Sequence, residues 1–145
     1  MGAEKGNNNV FNDFIDSLTN KDIKKALFVF DKSAKWITPE GEFYGHEEIG
    51  HYLKWFGNNI RTIGVADTGL ISEGNNFACE MVLEGSNDGE DWQVTAISMC
   101  EITNDRIKSL KTVYDRLSVA RQVARDGLAG LAVSKIIERM EEGLH

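Results

Sequence analysis

The stretch Gly45-His46-Glu47-Glu48-Ile49-Gly50-His51 carries the residue types of a metal site: two histidines with glutamates between them. Zinc hydrolases of the H-E-x-x-H kind place two imidazoles four residues apart on a helix and use the glutamate as a base. Residues four apart on a helix differ by about 40° around the axis; residues five apart differ by about 140°. His46 and His51 are five apart, so one regular helix cannot aim both at the same ion. The third histidine, His145, ends the chain, and no cysteine or acidic cluster completes a ligand set. The spacing predicts no metal. The sequence also lacks the phosphate-cradling G-x-x-x-x-G-K-[ST], the dinucleotide fingerprint G-x-G-x-x-G and the nucleophile elbow G-x-S-x-G.

Composition narrows the field further. With 145 residues the chain has the size of one domain with a real core. Hydrophobic residues at 41% and charged ones at 27% suit a soluble globular protein, and the net charge of -7 argues against a nucleic-acid partner. No apolar run approaches the roughly 20 residues of a membrane span. The opening MGAEKGNNNVF has no charged-then-apolar leader pattern, which predicts a cytoplasmic protein with a disordered start over residues 1–8. Cys79 and Cys100 sit in alternating apolar segments, not in a C-x-x-C pair, and read as buried, reduced thiols.

The elements that must position any site follow from the hydrophobic period. Val10, Phe11, Phe14, Ile15 and Leu18 form one helical stripe; Ile23, Ala26, Leu27 and Phe30 form a second, with Thr19-Asn20 as the break between them. The second helix is expected to run on through FVFDKSA. KWITPEGEFYG then reads as extended chain turning at Pro39 and Gly41, and HEEIGHYLKWFGNNI reads as a third helix. From Arg61 the period becomes two. Four stretches, 61–72, 77–84, 92–102 and 106–116, are divided by EGNN, GSNDGED and TND, the pattern of an antiparallel meander. Neither face of the strand at 92–102 is purely polar, so both faces of the sheet should be covered. Helices cover one face, and a second copy of the chain is expected on the other. From Leu117 the chain is helical again, with Val133, Ile136, Ile137, Met140 and Leu144 at helical spacing. The whole of 1–145 reads as one domain, with 117–145 a C-terminal helical extension that packs on the body or on a partner.

This order of elements resembles the cone-shaped α+β fold of the nuclear transport factor 2-like superfamily: a curved antiparallel sheet packed against N-terminal helices. Two segments carry the resemblance. KWITPEGEFYGHEEIGHYLKWF is similar to the family's Trp-x-x-Pro-x-Gly turn followed by an aromatic, a glycine and an amphipathic helix. DRIKSLKTVYDRLSVARQV is similar to the last strand of the SnoaL-like polyketide cyclase branch, which carries an aspartate and runs into a helix with a glutamine. The match covers roughly residues 8–123; the tail from Ala124 is longer than usual for the family.

The resemblance implies a deep apolar pocket between sheet and helices for a small oxygenated organic molecule. It implies either a cofactor-independent cyclase or isomerase, or a non-catalytic binding or protein-interaction module. Asp115 aligns with the cyclases' general acid/base, but it also stands at a strand-to-helix junction, where aspartate is a natural cap. Arg116 reads as a surface residue or as a charge partner of that acid. Trp36, Tyr52 and Phe56 are the expected pocket lining, joined by His51, Glu80 and Trp92. Epoxide-hydrolase chemistry is disfavoured, because WQVTAISMCEI lacks the Arg-x-Asp pair it requires. The substrate is not legible.

Overall fold

The computed structural model describes residues 2–87 and 89–144, with side chains outside 2–8 and 65–69. The chain runs α1 (Gly2–Thr19), α2 (Ile23–Phe28), β1 (Phe30–Thr38), β2 (Gly41–Tyr44), α3 (Gly45–Asn59), β3 (Ile60–Glu73), β4 (Asn76–Asn87), β5 (Glu90–Thr103), β6 (Arg106–Tyr114), α4 (Arg116–Val123) and α5 (Gly127–Met140). The strands form one curved, unclosed sheet in the order β2-β1-β6-β5-β4-β3. The expected meander is present: β3 through β6 pair antiparallel in sequence order, within three residues of the boundaries predicted at each end. β1 adds to it in parallel, with Trp36 beside Leu110 and Ile37 beside Lys111. Register shifts mark bulges in β1, β3 and β6, the usual device for bending a sheet.

Three expectations are corrected. The second helix stops at Phe28, and the residues FDKSA belong to β1. Phe30 and Ala34 are four apart and fit a helical stripe, but Trp36 and Thr38 continue the buried face at strand spacing, and pairing with β6 decides the matter. The last strand ends at Tyr114, because Asp115 already caps α4. The C-terminal helix is two pieces, broken at Ala124-Arg125-Asp126. α5 packs chiefly on α4 and leaves Leu128, Leu131, Ile136 and Met140 exposed.

The faces of the sheet separate clearly. Phe77, Cys79, Met81 and Leu83 of β4 and Trp92, Val94, Ala96, Ser98, Cys100 and Ile102 of β5 are buried under the helices. On the opposite face Ile97, Met99 and Val113 lie exposed, with Ile97 paired to Val113 and Met99 to Lys111. Among the described residues no helix is long and apolar enough to cross a membrane.

Candidate functional site

The interior of the cone is filled. Phe14, Trp36 and Phe30 meet ring to ring at 5.3–5.8 Å, and Trp36 packs edge-on to Tyr52 at 4.8 Å. Phe11 and Phe56 complete the plug, leaving a void of about 10 Å³, space for one water at most. Among the described residues the expected deep pocket is therefore filled, by large aromatics from α1, β1 and α3. One polar chain crosses this core: Trp36 Nε1 donates to Thr112 Oγ1 at 3.0 Å, and Thr112 shares a 2.9 Å hydrogen bond with Ser98.

Room for a guest exists at the mouth of the cone instead. A cavity of about 280 Å³ opens between the end of α3, the β4–β5 hairpin, the end of β6 and α4. Trp55, Trp92, Ile60, Val119 and Val123 give it apolar walls; Asn59, Ser86 and Asn87 lie on its rim, and Glu40, Tyr114 and Arg116 complete its lining.

Glu40 reaches this position from the turn between β1 and β2. Thr38 Oγ1 accepts from the Glu40 amide at 3.1 Å and donates to the Gly41 carbonyl at 3.2 Å, and Gly41 takes φ +147°, a value that favours glycine. The turn directs the Glu40 carboxylate over the end of β6. There the Tyr52 hydroxyl donates to Oε1 at 2.6 Å and the Tyr114 hydroxyl to Oε2 at 2.5 Å. Arg116 Nε lies 3.6 Å from Oε2, and its Nη1 donates to the Pro39 carbonyl at 3.3 Å. Burial, and then the bond to Glu40, hold both phenols above their ordinary titration range. Both remain O–H donors at any ordinary pH. The result is a carboxylate held by two phenols and a guanidinium at one side of a cavity of mixed lining, apolar at the two indoles and α4 and polar at Asn59, Ser86 and Asn87.

α4, the far wall, hangs on the edge of β5. β5 pairs with β6 only from Ala96 onward, so the backbone of Gln93 would be open on that side. The Gln122 carboxamide fills the gap: Nε2 donates to the Gln93 carbonyl and Oε1 accepts from the Gln93 amide, both at 2.8 Å. A helical side chain thus closes a strand edge as a neighbouring strand would.

The residues singled out from sequence are dispersed. Trp92 lines the mouth cavity. Trp36 and Phe56 belong to the aromatic plug, and Tyr52 is buried beside it with only its hydroxyl directed to Glu40. His51 is exposed on α3, and Glu80 is exposed on the outer face of β4. Asp115 is exposed, and its carboxylate accepts from the Ser118 amide at 3.0 Å as the N-cap of α4. Its two neighbours, Tyr114 and Arg116, line the cavity in its place. His46 turns its Nε2 to the Phe30 carbonyl at 2.8 Å. Among the described residues no group of three or more His, Cys, Asp or Glu side chains could hold a metal ion. Glu40 carried no signal in sequence, since an acid in a Pro-Glu-Gly turn ordinarily faces water and its partner Tyr114 is 74 positions away.

The family and the fold have independent support. The family model for the SnoaL-like domain matches residues 11–110. Among solved structures, a protein with a ketosteroid isomerase-like fold from Catenulispora acidiphila, crystallised with trimethylamine, is 18% identical with a TM-score of 0.69 over 78% of this chain and 90% of its own. TerC, co-crystallised with polyporic acid, is 15% identical with a TM-score of 0.70, over 81% and 97%. A nuclear transport factor 2-like protein from Burkholderia pseudomallei is 14% identical with a TM-score of 0.72, over 81% and 97%. At these identities the structures speak to fold alone. None of the curated proteins matches the chain by sequence. Fold, element order and matched span agree: the chain belongs to the SnoaL-like domain family, within the nuclear transport factor 2-like superfamily.

Proposed function

We propose that the protein binds a small oxygenated organic molecule in the mouth cavity and moves a proton on it with Glu40. The observation that carries this reading is the placement of Glu40: a carboxylate fixed by Tyr52 and Tyr114 beside about 280 Å³ of space walled by two indoles. Glu40 would take a proton from the carbon next to a ligand carbonyl. The electron pair moves to the carbonyl oxygen, toward the donors of Ser86 and Asn87 on the rim, and the proton returns at a second carbon. That is an isomerase-like or cyclase-like step without a cofactor, the chemistry implied for the family, with Glu40 in the part that resemblance gives to Asp115. Asp115 spends Oδ1 on the Ser118 amide as the cap of α4 and is not among the residues that line this cavity, whereas Glu40 is.

The test uses enolisable ketones of planar shape. Binding is read from the emission of Trp55 and Trp92, and proton transfer from carbon-bound deuterium uptake in D2O. Uptake by the wild type that disappears in E40Q, with binding retained, supports the reading. Bound ketone with no uptake beyond the buffer rate leaves a binding protein, the second reading the family allows.

The exposed row of Ile97, Met99 and Val113 supports a homodimer joined through the outer face of the sheet. Two buried thiols suit a reducing compartment such as the cytoplasm.

A further inference from the structure

Resting on the mouth cavity as the ligand site, we infer that its ligand is a flat organic anion: a planar apolar body between Trp55 and Trp92 with a carboxylate held by Arg116. Among the described residues two charged groups line the cavity, and they are not equally available. The Glu40 side chain is 16% exposed, and its oxygens are engaged by Tyr52, Tyr114 and Arg116; the Arg116 side chain is 65% exposed. Arg116 spends Nε on Glu40 and Nη1 on Pro39, and its Nη2 has no hydrogen-bonding partner among the described residues. A cation would have to compete with two phenols and a guanidinium for the carboxylate. An anion meets a guanidinium anchored at two points, with donors still to spare and its planar fork suited to a carboxylate.

The rest of the lining fits the same guest. Asn59 Nδ2 spends one of its two N–H groups on the Trp55 carbonyl at 2.7 Å, and among the described residues Arg116 is the charged donor that lines the cavity. Trp92 is held by shape, since it lies so close to Gly85 that a β-carbon there would meet its Cζ2 at 2.3 Å. Trp55 stacks on Tyr52 at 5.4 Å, so its ring is braced from behind. Two braced indoles and two valines favour a flat apolar body.

Three matched probes test this: 2-naphthoate, 2-naphthamide and a naphthyl trimethylammonium salt, titrated against the full chain by tryptophan emission. The wild type should bind the carboxylate roughly tenfold more tightly than the amide, a preference that shrinks as salt is raised. R116Q should abolish the preference, and R116K should keep a part of it, since a lysine retains charge but not the fork. E40Q should tighten the carboxylate, because it releases Arg116 and removes a like charge. Equal binding of carboxylate and amide to the wild type would overturn the anion reading and leave the cavity as a ligand site. Preference for the ammonium, lost in E40Q, would make Glu40 the receptor and overturn it as well. Failure of all three probes to bind would remove the cavity itself, and the proposed function with it.

Discussion

Trp92 and Gly85 face each other across the β4–β5 pair, and the indole occupies the space where any other residue at 85 would carry its side chain. A β-carbon at Gly85 would also stand 2.6 Å from the Asn59 carbonyl, so neither strand nor helix can accommodate it without moving. Gly85→Ala is expected to cost about 1–3 kcal/mol through forced repacking and to push the indole into the mouth cavity. Thermal melting reads the first effect, and loss of probe binding reads the second. An alanine variant with unchanged melting and binding would refute the close fit.

Asp115 separates two roles through one pair of substitutions. Asp115→Ala removes the acceptor of the Ser118 amide and should lower stability by about 0.5–2 kcal/mol. Asp115→Asn keeps a good capping oxygen but no acid. It should retain stability, ligand binding and any deuterium uptake, all measurable on one preparation. An Asn variant that melts normally yet has lost proton transfer would return the chemistry to Asp115.

The phenols that hold Glu40 give the protein an alkaline limit. Tyr52 and Tyr114 titrate above the ordinary value near 10 in the folded state, first through burial and then through Glu40. Unfolded chains lose these protons near pH 10 while the folded chain keeps them. Their contribution to stability is therefore complete below pH 10 and declines above it. For Tyr52, which is 3% exposed, the decline should approach about 1.4 kcal/mol per pH unit. Denaturant midpoints measured from pH 8 to 11 should fall more steeply for the wild type than for Tyr52→Phe; parallel curves would contradict the assignment.

The two thiols should be silent. Burial, and then proximity to Cys79, push the Cys100 thiol up to about 12, and burial raises Cys79 as well. Thiolate is the reactive form, so a thiol-specific reagent at pH 8 should label neither cysteine until denaturant is added. Rapid labelling of the native protein would mean that the inner face of the sheet opens easily.

The outer face can be tested through its charge. Met99→Lys places an ammonium between Ala78 and Lys111, the neighbours of Met99 in the sheet, at a position that is 59% exposed in the single chain. The fold should tolerate it, whereas a dimer joined through this face should dissociate, as sedimentation would show. An unchanged sedimentation coefficient would exclude that interface.

The hydrophobic period alone determined much of this protein. Alternation in 61–116 defined four strands and their order, because a half-buried strand writes its buried face into every second residue, as Phe77, Cys79, Met81 and Leu83 do. The Trp36-x-x-Pro39-x-Gly41 turn and the junction at Asp115 were legible because turns and caps depend on local chemistry. Tertiary structure decided what period and local chemistry cannot encode. Whether the cone is hollow depends on the summed volume of Phe11, Phe14, Trp36 and Phe56 arriving from three elements, and there it is filled. The proposed site at the mouth, with Glu40 as its acid, exists because the parallel pairing of β1 with β6 brings the Pro39-Glu40 turn to Tyr114. A spacing of 74 residues leaves no local trace; only the folded sheet makes those two oxygens neighbours.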